Sequence, residues 1–208
     1  MRSLFLSVII ALCVVTVNAQ NAASVFINMP RDIAIMLTDD NRKEMVGLFM
    51  NKKPAKILNL SESESELTHL TDSYLKLQLT VQNTLEIKLL PYGNRTVICV
   101  VQTACAPVCD SRAALYSSEW MPLTEIAPLP DLQPCQFLNK KDEGSEARKN
   151  ALTALDMRFY RYELSAKNNC LLVYYTTPEL LGLEDRKLLK PYLLTRPLTL
   201  RWSAEGFR

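Results

Sequence analysis

Cys105 and Cys109, with Pro107 midway between them in the run Cys105-Ala106-Pro107-Val108-Cys109, are the residues whose types and spacing come closest to doing chemistry. A turn at Ala106-Pro107-Val108 would bring the two Cβ atoms to bridging distance, so a small structural disulfide is the preferred reading in an oxidising compartment. Two buried free thiols are the alternative, since unpaired cysteine is among the most buried residue types. A redox-active pair fits less well: thiol–disulfide enzymes place Cys-x-x-Cys at a helix N-terminus, and this spacing falls between strands. Zinc fits least, because four ligands are needed and no second close Cys or His pair exists.

The single histidine, His69, could activate a cysteine nucleophile. It lies in an alternating stretch where Leu67, His69 and Thr71 share a face, with no matched nucleophile or orienting group, so a solvent-edge or hydrogen-bonded structural histidine is expected. Ser61-Glu62-Ser63-Glu64-Ser65-Glu66 lacks the Asp/Asn-rich, glycine-containing loop that calcium favours and reads as a solvated acidic loop. Glu184-Asp185 followed by Arg186-Lys187 is a charge order that favours a helix itself. These residues make no complete catalytic motif, and they imply no cofactor and no metal.

The elements that must position these residues are built from 208 residues, 48% hydrophobic and 22% charged, a composition that excludes a disordered or collagen-like chain. Lys plus Arg is 24 against 22 Asp plus Glu, so the overall balance does not supply the basic field that nucleic acid or an anionic membrane would require. Arg2, the apolar run Leu4 to Val17, and the small residues Val17 and Ala19 have the layout of a secretory signal peptide over residues 1–19. The run is about 14 residues where a bilayer takes roughly 20, so no transmembrane segment is expected in the mature form. Leu12 before Cys13 argues against a lipid anchor there. The expected location is extracytoplasmic, periplasmic or secreted. Loss of Cys13 with the signal leaves Cys99, Cys105, Cys109, Cys135 and Cys170, an odd number, so at least one thiol stays free or pairs between chains.

Residues 20–208 read as a single domain with two sub-blocks, about 26–118 and 139–203. Ile33, Met36 and Leu37, then Met45, Leu48 and Phe49, repeat the i, i+3, i+4 spacing of two short helices, with Pro30 in the first turn of one and Thr38-Asp39-Asp40 capping the other. From Glu66 to Ser118 the period becomes two with regular turns, a strand meander. Leu75, Leu77 and Leu79 reach one core with Leu85, Ile87 and Leu89 if the loop Val81-Gln82-Asn83 is odd, with Asn83 able to be left-handed. A three-residue loop Tyr92-Gly93-Asn94 would then pair Leu89 with Val97, Ile87 with Cys99 and Leu85 with Val101. The strand Val97 to Val101 is apolar on both faces, so something should cover its second side. Pro122, Pro128, Pro130 and Pro134 mark 119–138 as an ordered crossing segment. Ser145 opens a helix with Ala147, Ala151, Ala154 and Leu155 as its buried face. Strands at 158–164 and 170–176, a helix around Leu183 to Lys190 and a last strand through Leu198, Leu200 and Trp202 complete the chain. The fold class is α+β, an antiparallel meander sheet with helices packed on one face.

The hairpin 158–176 carries the candidate interaction face. An even loop puts Tyr160, Tyr162, Leu164, Leu171, Val173 and Tyr175 on one side, toward the core. Phe159, Arg161, Glu163, Leu172 and Tyr174 fall on the other, a mixture of aromatic area and Arg suited to a partner surface. The competing expectation is that the proline-rich segment or the C-terminal tail covers it.

Phe26-Ile27-Asn28-Met29-Pro30, Leu89-Leu90-Pro91, Val97-Ile98-Cys99, Cys105 through Asp110-Ser111, Ser118-Glu119-Trp120 and the tail from Leu183-Glu184-Asp185-Arg186 through Trp202 resemble a family of secreted Bacteroidales proteins of unknown function. Ser61 to Glu66 departs from the glycine-containing turn of that pattern. The resemblance implies an extracytoplasmic location and a shared fold, and it carries no activity. The order of elements looks like β-lactamase-inhibitor-protein-like modules or a cone-shaped sheet of the nuclear-transport-factor class. The expected function is a binding or interaction module for an envelope protein or a small ligand. A hydrolase-type enzyme assembled from distant residues, or a structural subunit of a surface assembly, is the alternative.

Overall fold

Asn21 opens the first helix, α1 (Ala22–Ile27): its side chain accepts the Ser24 N–H at 2.8 Å while Ser24 Oγ accepts the Asn21 N–H at 3.2 Å. The computed structural model describes residues 20–153, 155 and 157–208. The expected signal peptide, residues 1–19, and Ala154 of the expected helix face lie outside the described residues. Thr38 caps α2 (Asp39–Met50) as expected, with Asn41 completing the reciprocal pair. The expected helix through Ile33 and Leu37 is not there. Its residues form two turns, Ile33 N–H to Pro30 O and Leu37 N–H to Ala34 O, because the stretch between the Asn28 and Thr38 caps is too short to nucleate a helix of its own. Pro30 follows a helix instead of starting one.

Six antiparallel strands then run in sequence order: β1 (Lys56–Leu58), β2 (Glu64–Leu70), β3 (Tyr74–Gln78), β4 (Asn83–Tyr92), β5 (Arg95–Cys105) and β6 (Cys109–Tyr116). Leu75 faces Ile87 and Leu77 faces Leu85: an odd loop keeps both sets on one core as expected, but it is Thr80-Val81-Gln82, one residue earlier than Val81-Gln82-Asn83, which would have set Leu77 opposite Ile87. Asn83 is not left-handed there; Thr80 Oγ1 accepts the N–H groups of Gln82 and Asn83 and holds the turn. The next register differs from expectation by one residue. Tyr92 pairs with Arg95 across the two-residue turn Gly93-Asn94, with Gly93 at φ 56°, so Leu89 faces Ile98, Ile87 faces Val100 and Leu85 faces Gln102. Val97, Cys99 and Val101 therefore lie on the opposite face from Leu85, Ile87 and Leu89.

Both faces are covered. On one, α1, α2 and the turns between them bury Phe26, Met29, Leu37 and Met45 against Leu75, Leu77, Leu85, Ile87, Ile98 and Val100. On the other, Leu90, Val97, Cys99, Val101 and Leu115 meet a second sheet through Tyr160, Tyr162, Leu164, Leu171, Val173 and Phe207. That sheet, ordered β10-β9-β8-β7, comprises β7 (Tyr160–Leu164), β8 (Cys170–Tyr175), β9 (Leu198–Ser203) and β10 (Gly206–Phe207). The fold is α+β, with two antiparallel sheets in place of the one expected. The chain does not extend the first sheet because the end of β6 already pairs with the crossing segment, Leu123 N–H donating to Leu115 O.

Smaller expectations also change. Thr68 is an extra residue between the pairs Leu67–Leu77 and His69–Lys76, so His69 is exposed and Leu70 turns to the core. Only the first half of Ser61–Glu66 is a loop: Asn59 accepts the N–H groups of Ser61 and Ser63, and Glu64 and Glu66 stand in β2 opposite Lys56 at 2.7 and 3.6 Å. Ser65 is buried because its hydroxyl donates to Leu79 O. Ser145 caps α3 (Glu146–Leu152), whose buried residue is Ala151; Ala147 faces solvent because the helix is short and touches the rest only along one line. α4 (Leu183–Leu189) has Glu184 and Asp185 in its first turn and Arg186 and Lys187 in its last.

Candidate functional site

The two sides of the C-terminal sheet differ as the parity of an even loop requires, Tyr160 facing Tyr175 and Leu164 facing Leu171. Phe159, Arg161, Glu163, Leu172 and Tyr174 are half exposed, and none belongs to an apolar cluster among the described residues. The Arg161 guanidinium lies 3.8 Å from the Tyr174 ring centroid and 3.1 Å from Glu163 Oε2. Across the sheet Leu172 stands between Glu163 and Thr199, and Cys170 faces Arg201. Arg196 and Pro197 border Tyr174 in a shallow recess of about 180 Å³. Arg196 and Arg201 are exposed and have no ion pair among the described residues. The crossing segment, which could have covered this face, lies on the inner side with Ile126, Leu132 and Phe137, and the tail pairs as β10 along the edge of β9.

The run Cys105 to Ser111 holds the sheet in this orientation. Cys105 and Cys109 are directly opposite in the β5–β6 hairpin and are joined by a disulfide. The next two residues offer side-chain oxygens to the free edge of β7: Asp110 Oδ1 accepts the Tyr160 N–H at 3.2 Å and Ser111 Oγ accepts the Tyr162 N–H at 2.9 Å. Glu86 Oε2 accepts the third, from Leu164, at 2.8 Å. Thr176 Oγ1 donates to Cys109 O at 2.6 Å. An edge strand whose donors are occupied by side chains is closed to strand addition on that side.

A family model described as a protein of unknown function, DUF3256, matches residues 14–207. The chain belongs to the DUF3256 family. Its structure is similar to that of a domain of an uncharacterized protein from Porphyromonas gingivalis W83, with a TM-score of 0.74, 24% identity, and coverage of 89% of this chain and 96% of that one. At that identity the likeness shows a shared fold. A comparison with curated proteins finds no match.

In this DUF3256 chain the residues that sequence reasoning missed are the buried charges. Glu86 and Lys88 alternate with Leu85, Ile87 and Leu89 and look like a solvent face, yet each is 3% exposed because the second sheet covers them. Glu86 pairs with Lys76 at 3.2 Å, and Lys88 Nζ donates to Ser73 Oγ and Ala166 O, both at 3.3 Å. The signal that could have found them was the apolar second face of Val97 to Val101. Burial pushes the Cys99 thiol up to about 12, with Glu86 adding, which makes it an unreactive core residue.

Burial also raises the Glu86 carboxyl above the usual carboxylate range, against the opposing pull of Lys76 and the Leu164 N–H. An acid with a raised folded value keeps its proton where the unfolded chain has released it. Its contribution is therefore fully present below the unfolded value and is lost as pH rises through the folded one. Glu86→Gln removes this dependence and keeps an acceptor for Leu164. In urea unfolding, the stability of the parent minus that of the variant should fall as pH is raised through and just above the carboxylate range. A difference flat in pH would contradict the buried-carboxylate assignment.

Proposed function

We propose that this protein is an extracytoplasmic binding module that docks an acidic segment of a partner protein on the outer face of β7, β8 and β9. The observation that carries the reading is the bare sheet face on which Arg161 is already stacked on Tyr174. A guanidinium held on a ring has less freedom to lose on binding, and Arg and Tyr are residue types on which interface energy concentrates. Leu172 supplies apolar area at the centre. Arg161, Arg196 and Arg201 outnumber the two carboxylates at this face, Glu163 beside Arg161 and Glu179 in the recess with Arg196, so an acidic partner is the complementary one.

In the same proposal residues 1–19 are a signal peptide removed after Ala19, and residues 20–208 work as a single domain outside the cytoplasm. The disulfide is compatible with an oxidising compartment. We also read the plan, helices on one face of an antiparallel meander, as similar to β-lactamase-inhibitor-protein-like modules, a likeness of architecture that brings no ligand with it.

The test uses the tagged chain from Gln20 to capture envelope proteins of the native host. Arg161→Glu or Tyr174→Ala should reduce recovery of the captured partner by about tenfold or more, and raised salt should weaken capture. The melting temperature should move by less than about 4 °C. If either change lowers stability by more than roughly 2 kcal/mol and leaves capture intact, the face belongs to the core and the reading fails.

A further inference from the structure

A second recess lies on the opposite side of the molecule from the face just described. On the helix side of the six-stranded sheet, α1 packs on β3 and β4 and α2 on β1 and β2, and the recess lies beside the end of β5 and the start of β6. Residues 32–36 cross there, tied down by Gln102 Nε2 donating to Ile33 O at 2.7 Å and by Leu60 N–H donating to Met36 O at 2.9 Å. Between this segment and the strand ends is a groove of about 490 Å³, within the range of small-ligand sites. Ile33, Ile35, Met36 and Leu79 give it an aliphatic wall, and Asp110 and Arg112 stand on its floor. Ile35 is 69% exposed, so its side chain is open to a ligand in the groove.

The two floor charges do not neutralise one another. Asp110 and Arg112 face Ala104 and Gln102 on one side of β6, about 7 Å apart along the strand. Asp110 is held by the Tyr160 N–H, and Arg112 is exposed with no carboxylate in ion-pair range among the described residues. Asp32 lines the same groove. A purely anionic ligand would meet two carboxylates, and a purely cationic one would meet the guanidinium. Opposite charges held one residue apart beside an aliphatic wall complement a zwitterion with an apolar side chain.

We propose that this groove binds a short apolar peptide by both free ends, its carboxylate on Arg112, its amine on Asp110 and Asp32, and a side chain against Ile35 and Met36. The proposal does not depend on the outer face of the second sheet, which lies on the far side of the β-sheet.

The probe is Leu-Leu, titrated into the ¹⁵N-labelled chain from Gln20 and followed by amide shifts. Saturable shifts are expected at Gln102, Ala104 and Arg112, with the acetylated and the amidated dipeptides each binding about tenfold more weakly. Arg112→Gln should abolish the discrimination against the amide. Asp110→Asn, which keeps an acceptor for Tyr160, should abolish the discrimination against the acetyl form. No saturable shift, equal binding of the blocked dipeptides, or shifts confined to residues 159–174 would each overturn the assignment.

Discussion

Arg42→Met should lower the free energy of unfolding by about 3 kcal/mol, the range for leaving several buried acceptors without their charged donor. Arg42 is 1% exposed. Its guanidinium donates to Ile27 O at 3.3 Å, to Leu37 O at 3.1 Å and to Met29 O at 2.7 Å, and it pairs with Asp39 at 2.7 Å. These carbonyls belong to the end of α1 and to the turns between α1 and α2, a stretch with few backbone bonds of its own. Methionine fills much of the same volume and supplies no donor, so the substitution separates hydrogen bonding from packing. Arg42→Lys should also be costly, because one ammonium cannot reproduce the planar fork. Urea unfolding reads both, and a loss below about 1 kcal/mol for Arg42→Met would mean that the carbonyls find other partners.

Gly206→Ala is the second large effect, also expected near 3 kcal/mol, since it adds backbone overlap to a conformation that side chains avoid. Gly206 has φ 96°, and a Cβ there would run into the carbonyl oxygen of Ala127. The neighbouring Phe207 is fully buried and its N–H donates to Pro128 O at 3.0 Å, so the last strand cannot retreat without exposing the ring. Trp202 stacks edge-on against Phe207 at 5.1 Å and donates from Nε1 to Pro91 O at 2.6 Å. Displacing β10 should therefore shift Trp202 fluorescence along with the unfolding midpoint. An unchanged midpoint would show that the crossing segment is not locked by the C-terminus.

Local signals in the chain were legible where local chemistry decides them. Thr38 with Asp39 and Asp40 marks the start of α2, the prolines mark the crossing segment, and parity alone sorts Tyr160 and Tyr162 from Arg161 and Glu163. The register of β4 on β5 was not legible, because a two-residue and a three-residue reading of Tyr92-Gly93-Asn94 differ by one position and move every partner to the other face. That slip hid the two-sided character of β4. The docking of the second sheet was hidden for another reason: it rests on side-chain to backbone bonds spanning 50 residues for Asp110 to Tyr160 and 78 for Glu86 to Leu164. No periodicity records such pairs. Arg42 was equally silent, since a buried arginine that serves carbonyls leaves the same mark in a helix as a solvated one.

The account rests on the outer face of β7 to β9 being free in the folded protein and occupied by an acidic partner in the cell. Site-specific photocrosslinking tests this most directly, with Tyr174→p-benzoylphenylalanine on the face and Val81→p-benzoylphenylalanine as control, Val81 being 98% exposed at a turn of the first sheet. In native-host cells the Tyr174 probe should give a discrete adduct whose crosslinked peptide is rich in Asp and Glu, and the Val81 probe should not give that adduct. No adduct at Tyr174, the same adduct from both positions, or a crosslinked peptide without acidic residues would contradict it.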